Sequence, residues 1–185
     1  MQPPHRRMKA SAIGRLGPGV TKKTVRVVIE TPKHGRNKFS FDPEIQAFTL
    51  SAVLPVGASF PFDFGFVPKT KGGDGDPLDV LLLMDEPAFP GCVVEVRLVG
   101  VIEATQTQKG KKVRNDRLVA VASESHLHHN VKSIADVDPR LLDQIEDFFR
   151  NYNEAKGERF EPEGRHGPKR ARALLEKGLR AARGR

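Results

Sequence analysis

Three aspartates crowd into six residues of this chain: Asp74, Asp76 and Asp79, in the run Asp74-Gly75-Asp76-Pro77-Leu78-Asp79-Val80. Carboxylates held this close repel one another, and a cation placed among them relieves the repulsion. Hard oxygen ligands of this kind select Mg²⁺, Mn²⁺ or Ca²⁺. Asp and Gly are also ordinary turn residues, so composition alone reads the run as an acidic surface turn. A calcium EF-hand needs a glutamate at the twelfth loop position and helices on both sides. Counted from Asp74, the twelfth residue is Asp85, and Val80–Met84 before it is an apolar, strand-like run. The EF-hand reading therefore fails. A second metal candidate, His126, His128 and His129, lacks supporting ligands at a recognised zinc spacing.

The elements around the aspartates give the cluster its setting. Gly72, Gly73 and Gly75 allow a tight loop, and Pro77 stiffens it by fixing its own φ. Leu78–Met84 is a continuous apolar run of strand length, expected to be buried on both faces. Upstream, the alternating β-branched segment Thr24–Glu30 reads as a strand. Lys38–Phe41 and Gln46–Leu54 read as a strand pair around the Asp42-Pro43 turn, and Ser59–Val67 as an extended aromatic segment. Downstream, Cys92–Glu103 is a long apolar strand, Thr105–Arg114 an exposed hairpin loop, and Arg117–Ala122 another strand. Asp138 then caps a helix that Pro139 opens and Gly157 ends, with Leu142, Ile145, Phe149 and Tyr152 at helical spacing. A second helix is expected over Pro168–Ala182. Many short strands followed by two helices predict a β-barrel with helices packed outside it.

Charge is unevenly spread. Of the net +8, residues 1–23 carry +6 and residues 164–185 carry +7, which leaves −5 on the middle. An acidic middle suits a domain that gathers cations and argues against a nucleic-acid-binding core. Residues 1–20 read as a flexible basic arm, rich in Pro and Gly, and residues 21–185 as the folded domain. The single cysteine, Cys92, excludes an intramolecular disulfide, and no stretch approaches the roughly 18 apolar residues of a membrane span. The N-terminus has no apolar leader core, so no secretory signal is expected, and the lone cysteine suits a reducing cytosol.

With these residues in view, the chain resembles the family I soluble inorganic pyrophosphatases. Their signature, Asp-x-Asp-Pro-x-Asp followed by a buried apolar strand, matches Asp74–Val80 in full. Val28-Ile29-Glu30-Thr31-Pro32 resembles the family's first strand, and Phe60–Phe66 its aromatic segment. Pro87, Pro90-Gly91 and Gly100-Val101 resemble its strand turns, and Phe148-Phe149 with Tyr152 its helix. The resemblance implies an α+β, mainly β fold: a five-stranded OB-like closed barrel with flanking C-terminal helices. It implies hydrolysis of pyrophosphate to two phosphates with Mg²⁺, or alternatively Mn²⁺. It implies a homo-oligomer, hexameric by resemblance, with a dimer as the alternative. By position, Asp76 would be the general base, and Asp74, Asp79, Asn115 and Glu30 would serve the metal. Lys38, Arg117 and Tyr152 would hold pyrophosphate or phosphate.

The chain departs from that pattern at the chemistry. Ser40 stands where the family has Glu, and Ala52 near the place of a phosphate-binding arginine. Phe60, Phe64 and Phe66 stand for tyrosines, Asn153 for a lysine, and Arg117 for a lysine. Asn115 replaces an aspartate, and a second falls near Gln106 across a longer loop. Reduced activity and fewer strong metal sites are expected, with Asp116 a substitute ligand only if the backbone shifts by one residue. The alternative is a catalytically impaired protein of this fold that binds phosphate compounds or a partner.

Overall fold

The computed structural model describes residues 12–108 and 110–184. Nine strands and two α-helices follow one another: β1 (Val25–Thr31), β2 (Asn37–Asp42), β3 (Ala47–Val53), β4 (Asp63–Phe66), β5 (Asp79–Leu83), β6 (Val93–Gln108), β7 (Lys111–Arg114), β8 (Arg117–Ala122), α1 (Pro139–Glu154), β9 (Arg159–His166) and α2 (Pro168–Ala182). Five of the strands close on themselves in the order β1-β4-β5-β8-β6, because β6 also pairs with β1. This is the expected closed barrel, and closure removes the sheet edges that would otherwise seek a partner. All of its pairings are antiparallel except β5 with β8.

The alternation of side chains across β5 and β8 sorts the core into two parts. Leu81, Leu83, Val119 and Val121 pack with Phe60, Phe64 and the α1 residues Leu142, Ile145 and Phe149. Val80, Leu82, Leu118 and Ala120 pack with Val25, Val27, Ile29 and the α2 residues Ala171 and Leu175. Every residue of β8 is buried, as a barrel strand covered on both faces must be.

Both helices start as their sequences dictate. Asp138 caps α1 by accepting from the Arg140 N–H, and Pro139 takes the first helical position. Gly178 of α2 lies against the carboxylate loop: a Cβ there would stand 2.6 Å from Leu78 Cδ1, and its carbonyl accepts from the Lys71 N–H at 3.0 Å. The second helix thus props the loop that carries the aspartates.

Three expectations need correction. Thr105–Arg114 is not an exposed loop: β6 runs on to Gln108 and pairs with β7. Its polar residues hid a strand whose inward side chain, Gln106, is buried. β9 was absent from the sequence reading because only Phe160 among its eight residues is buried, so it shows no apolar pattern. It pairs with the far half of β6, from Val101 to Thr107. Finally, only Asp63–Phe66 of the expected extended segment 59–67 forms a strand.

Residues 1–11 of the expected arm lie outside the described residues. Ala12–Arg15 form a short 3₁₀ turn, and the Gly14 carbonyl accepts from Lys69 Nζ at 2.7 Å. The Pro18 carbonyl accepts from the Arg26 N–H at 2.8 Å. Among the described residues no helix is long and apolar enough to cross a membrane.

Candidate active site

The carboxylate loop is held by its own backbone. Thr70 Oγ1 donates to the Val67 carbonyl at 2.6 Å and accepts from the Leu78 N–H at 2.9 Å, clamping the two ends together. The Gly72 N–H donates to the Asp76 carbonyl at 2.6 Å, and Asp74 Oδ1 accepts from the Asp76 N–H at 3.1 Å. Gly75 turns the chain at φ +99°, where a side chain would be strained. The loop delivers Asp79 to the first position of β5, which pairs in parallel register with Arg117, the first residue of β8. Two residues 38 apart in sequence are thereby placed side by side at one end of the barrel.

That end opens into a cavity of about 500 Å³. Glu30 at the end of β1, Lys38 of β2, Asp74, Asp76, Asp79, Asn115, Arg117 and Tyr152 all line it. The residues that the resemblance marks as catalytic, metal or substrate candidates therefore all reach one space, while His126, His128 and His129 do not line it. Phe60, Phe64, Phe66 and Phe149 form its aromatic side, with Phe60 against Tyr152 and Phe64 against Phe149. Where tyrosines were expected, this wall has no hydroxyl to offer.

The electrostatics separate two parts of the cavity. Burial pushes the Glu30 carboxyl up to about 7; the Phe41 N–H it accepts at 2.7 Å and nearby Lys38 oppose that, while Asp79 and Asp76 add repulsion. Asp74 is also raised, first by burial and then by Asp79 and Asp76, against the pull of the Asp76 N–H and of Arg117. Asp79 is raised by burial too, against the pull of Arg117 and Lys38. Carboxylates raised by burial and mutual repulsion gain most from a cation.

Arg117 occupies the deeper corner. Its side chain is buried, and its Nη1 donates to Asp79 Oδ2 at 2.5 Å and to Asn115 Oδ1. The guanidinium carbon lies 5.1 Å from the Phe149 ring, 5.5 Å from Phe160 and 5.8 Å from Phe64. Asn115 Nδ2 in turn donates to Gln106 Oε1 at 2.7 Å, and Gln106 Nε2 donates to Glu158 Oε2 at 2.8 Å.

Among the described residues no three Asp, Glu, His or Cys side chains converge on a ready metal position. Each candidate is drawn aside by a donor: Glu30 by the Phe41 N–H, Asp74 by the Asp76 N–H, Asp79 by Arg117. The donor set of Glu30, Asp74 and Asp76 fits a hard divalent cation, since these oxygens face an open cavity and repel one another. The corner between Asp79 and Asn115 does not fit one, because a guanidinium nitrogen already bridges them.

Other sequence candidates lie elsewhere. Asp116 points away from the cavity, accepting from the Ala104 N–H at 3.1 Å and pairing with Arg114 at 2.7 Å, so it replaces no lost ligand. Arg114 also pairs with Glu103 and Glu163, and Lys112 with Glu161. Lys69 lines the cavity but donates to Gly14. Ser40 lines it as well and bonds Ser51 at 3.1 Å. The sequence reading missed Lys156 and Glu158. Lys156 Nζ lies 4.1 Å from the Tyr152 ring, and the i, i+4 spacing from Tyr152 was a signal available in the sequence. The buried Tyr152 hydroxyl has no hydrogen-bond partner among the described residues.

The fold that carries this site is shared with known proteins. Residues 27–183 match the family model for inorganic pyrophosphatase. An inorganic pyrophosphatase of Nostoc sp. is 35% identical over 164 residues, covering 89% of this chain and 92% of that protein. One from Thermus thermophilus is 36% identical over 145 residues, covering 78% of each. The crystal structure of inorganic pyrophosphatase from Thermus thermophilus superposes with a TM-score of 0.86 at 31% identity, covering 94% of this chain and 100% of that one. The Helicobacter pylori enzyme superposes with a TM-score of 0.83 at 32% identity, over 92% and 99%. The chain belongs to the inorganic pyrophosphatase family.

Proposed function

We propose that this protein hydrolyses inorganic pyrophosphate to two phosphates with the help of Mg²⁺, and that Mn²⁺ can serve in its place. The observation that carries the reading is the meeting of Asp74, Asp76 and Glu30 with Lys38, Lys156 and Tyr152 around one cavity. Asp74 and Glu30 are the groups that would hold the cation, with Asp76 beside them. When bound, a divalent cation lowers the pKa of water and screens the phosphate charge. The protein's own part is positioning and charge. Lys38 and Lys156 both line the cavity beside Tyr152 and attract an anion of several charges. The Tyr152 hydroxyl donates to a phosphate oxygen, which supplies the partner it lacks. Asp76 stands at the loop tip with its carboxylate in the cavity and takes the proton from the attacking water. The water oxygen bonds to one phosphorus, the bridging P–O bond breaks, and the second phosphate leaves.

The aromatic wall and Ala52 weaken the hold on substrate, so the activity is lower than that of a relative with the full set of phosphate contacts. The single, half-buried Cys92 is consistent with a reducing cytoplasm. Exposed Ile45, Leu50, Val53 and Val56, on and beside the β2–β3 hairpin, favour assembly into a homo-oligomer. The test is phosphate release from pyrophosphate by the purified protein and by Asp76→Asn. Metal-dependent release by the wild type well above the variant is expected. Equal, background release from both overturns the reading.

A further inference from the structure

We infer that Arg117 is a built-in cation. It stands between Asp79 and Asn115, where this chain consequently takes no divalent ion. The inference deepens the hydrolytic reading by fixing how the site's positive charge is divided between protein and metal.

A guanidinium only donates, so the Asn115 atom facing Arg117 must be its oxygen. The Asn115 amide nitrogen then faces outward and needs an acceptor, which Gln106 Oε1 supplies at 2.7 Å. The Gln106 nitrogen needs an acceptor in turn, and it has Glu158 Oε2 at 2.8 Å. The chain Glu158–Gln106–Asn115–Arg117–Asp79 is consistent in one direction only. Amides at 106 and 115 suit it, since two ionised carboxylates there would repel each other. Asn115 and Gln106 are therefore matched to each other and to Arg117, and are more than two independent losses of a ligand.

Charge leads to the same place. Asp79 and Arg117 cancel, while Asn115 and Gln106 are neutral. A divalent ion entering this corner would have one carboxylate to neutralise and one guanidinium to expel. Expulsion is opposed by the three rings around the guanidinium, Phe64, Phe149 and Phe160. Two of those rings, Phe64 and Phe149, also line the cavity, so the apolar wall that lacks hydroxyls is part of the seat of the cation. Arg117 lines the cavity too, which leaves its fixed charge beside a bound phosphate.

The deciding experiment is crystallographic and needs no turnover. Crystals of the wild type are soaked in Mn²⁺ and the ion is located by its anomalous scattering. The expected result is no Mn²⁺ between Asp79 and Asn115, with Arg117 still on both, whatever binds at Asp74 and Glu30. An Mn²⁺ peak bridging Asp79 and Asn115, with Arg117 displaced, overturns the inference. A second arm uses Asn115→Asp/Arg117→Met, which restores a second carboxylate and removes the cation. By electron paramagnetic resonance this variant is expected to bind one more tight Mn²⁺ per chain than the wild type. An unchanged count in a folded variant also overturns it. Neither readout depends on hydrolysis, so an inactive protein would defeat the functional proposal and leave this inference to be decided by the metal positions.

Discussion

The cavity has two acidic regions that solve the same problem in opposite ways. At the mouth, Glu30, Asp74 and Asp76 gather carboxylates whose neutralisation is left to something from outside, and burial first, with the repulsion of Asp79 and Asp76 behind it, lifts the Glu30 carboxyl to about 7. In the depth, Asp79 meets a guanidinium supplied by the next strand, with two amides behind it. Two of the mouth's three carboxylates sit on a loop, stiffened by Pro77 and by Asp74 accepting from the Asp76 N–H. The depth is sheet, set by the parallel register of β5 on β8. On the reading proposed, the cation requirement is divided: part of it is met by folding and part by binding.

The largest effect that would break the comparison is at the mouth. Asp76→Asn keeps the shape of the loop and removes the base, so phosphate release is expected to fall by about 10²- to 10⁴-fold with the fold unchanged by circular dichroism. Loss of less than tenfold would move the base elsewhere. In the depth, Arg117→Met strands a buried carboxylate and should cost about 3–5 kcal/mol of stability in urea unfolding. A loss below about 1 kcal/mol would mean that Asp79 is not held by Arg117.

The third prediction turns on pH. Glu30 titrates near 7 in the folded, metal-free protein against 4.5 when unfolded. The unfolded chain therefore loses this proton first, and the folded protein loses stability as pH rises from 4.5 through 7. With EDTA present, Glu30→Gln should be more stable than the wild type at pH 8, by up to ~3 kcal/mol, and no different at pH 4. A difference that is constant with pH contradicts this. The smallest effect is expected from Lys112→Ala, which breaks an exposed pair with Glu161 far from the cavity. Its unfolding midpoint and its rate should match the wild type, and a slowed rate would extend the site onto β7.

The mouth was legible in the sequence and the depth was not, for a physical reason. Asp74 and Asp76 are neighbours in one loop, so their spacing is a local signal, and Glu30 joins them by the resemblance of its strand. β8 and α2 were also read to their ends, because a continuous apolar run and a Pro-led amphipathic stripe are local signals. Arg117 was placed at the site by resemblance, as a phosphate binder. Its bond to Asp79 depends on a strand pairing across 38 residues, and nothing local records that register. Gln106 was assigned to a loop because its neighbours Thr105, Thr107 and Gln108 are polar. Its own burial only makes sense once Asn115 and Glu158 are seen beside it.

On the function proposed, the mouth of the cavity needs a divalent cation from solution in order to cleave pyrophosphate. The direct measurement is phosphate release by wild-type protein stripped with EDTA and then titrated with Mg²⁺. Release is predicted to start at background, rise with Mg²⁺ and saturate. Release that is already full in EDTA, or that stays at background at every Mg²⁺ concentration, contradicts the account.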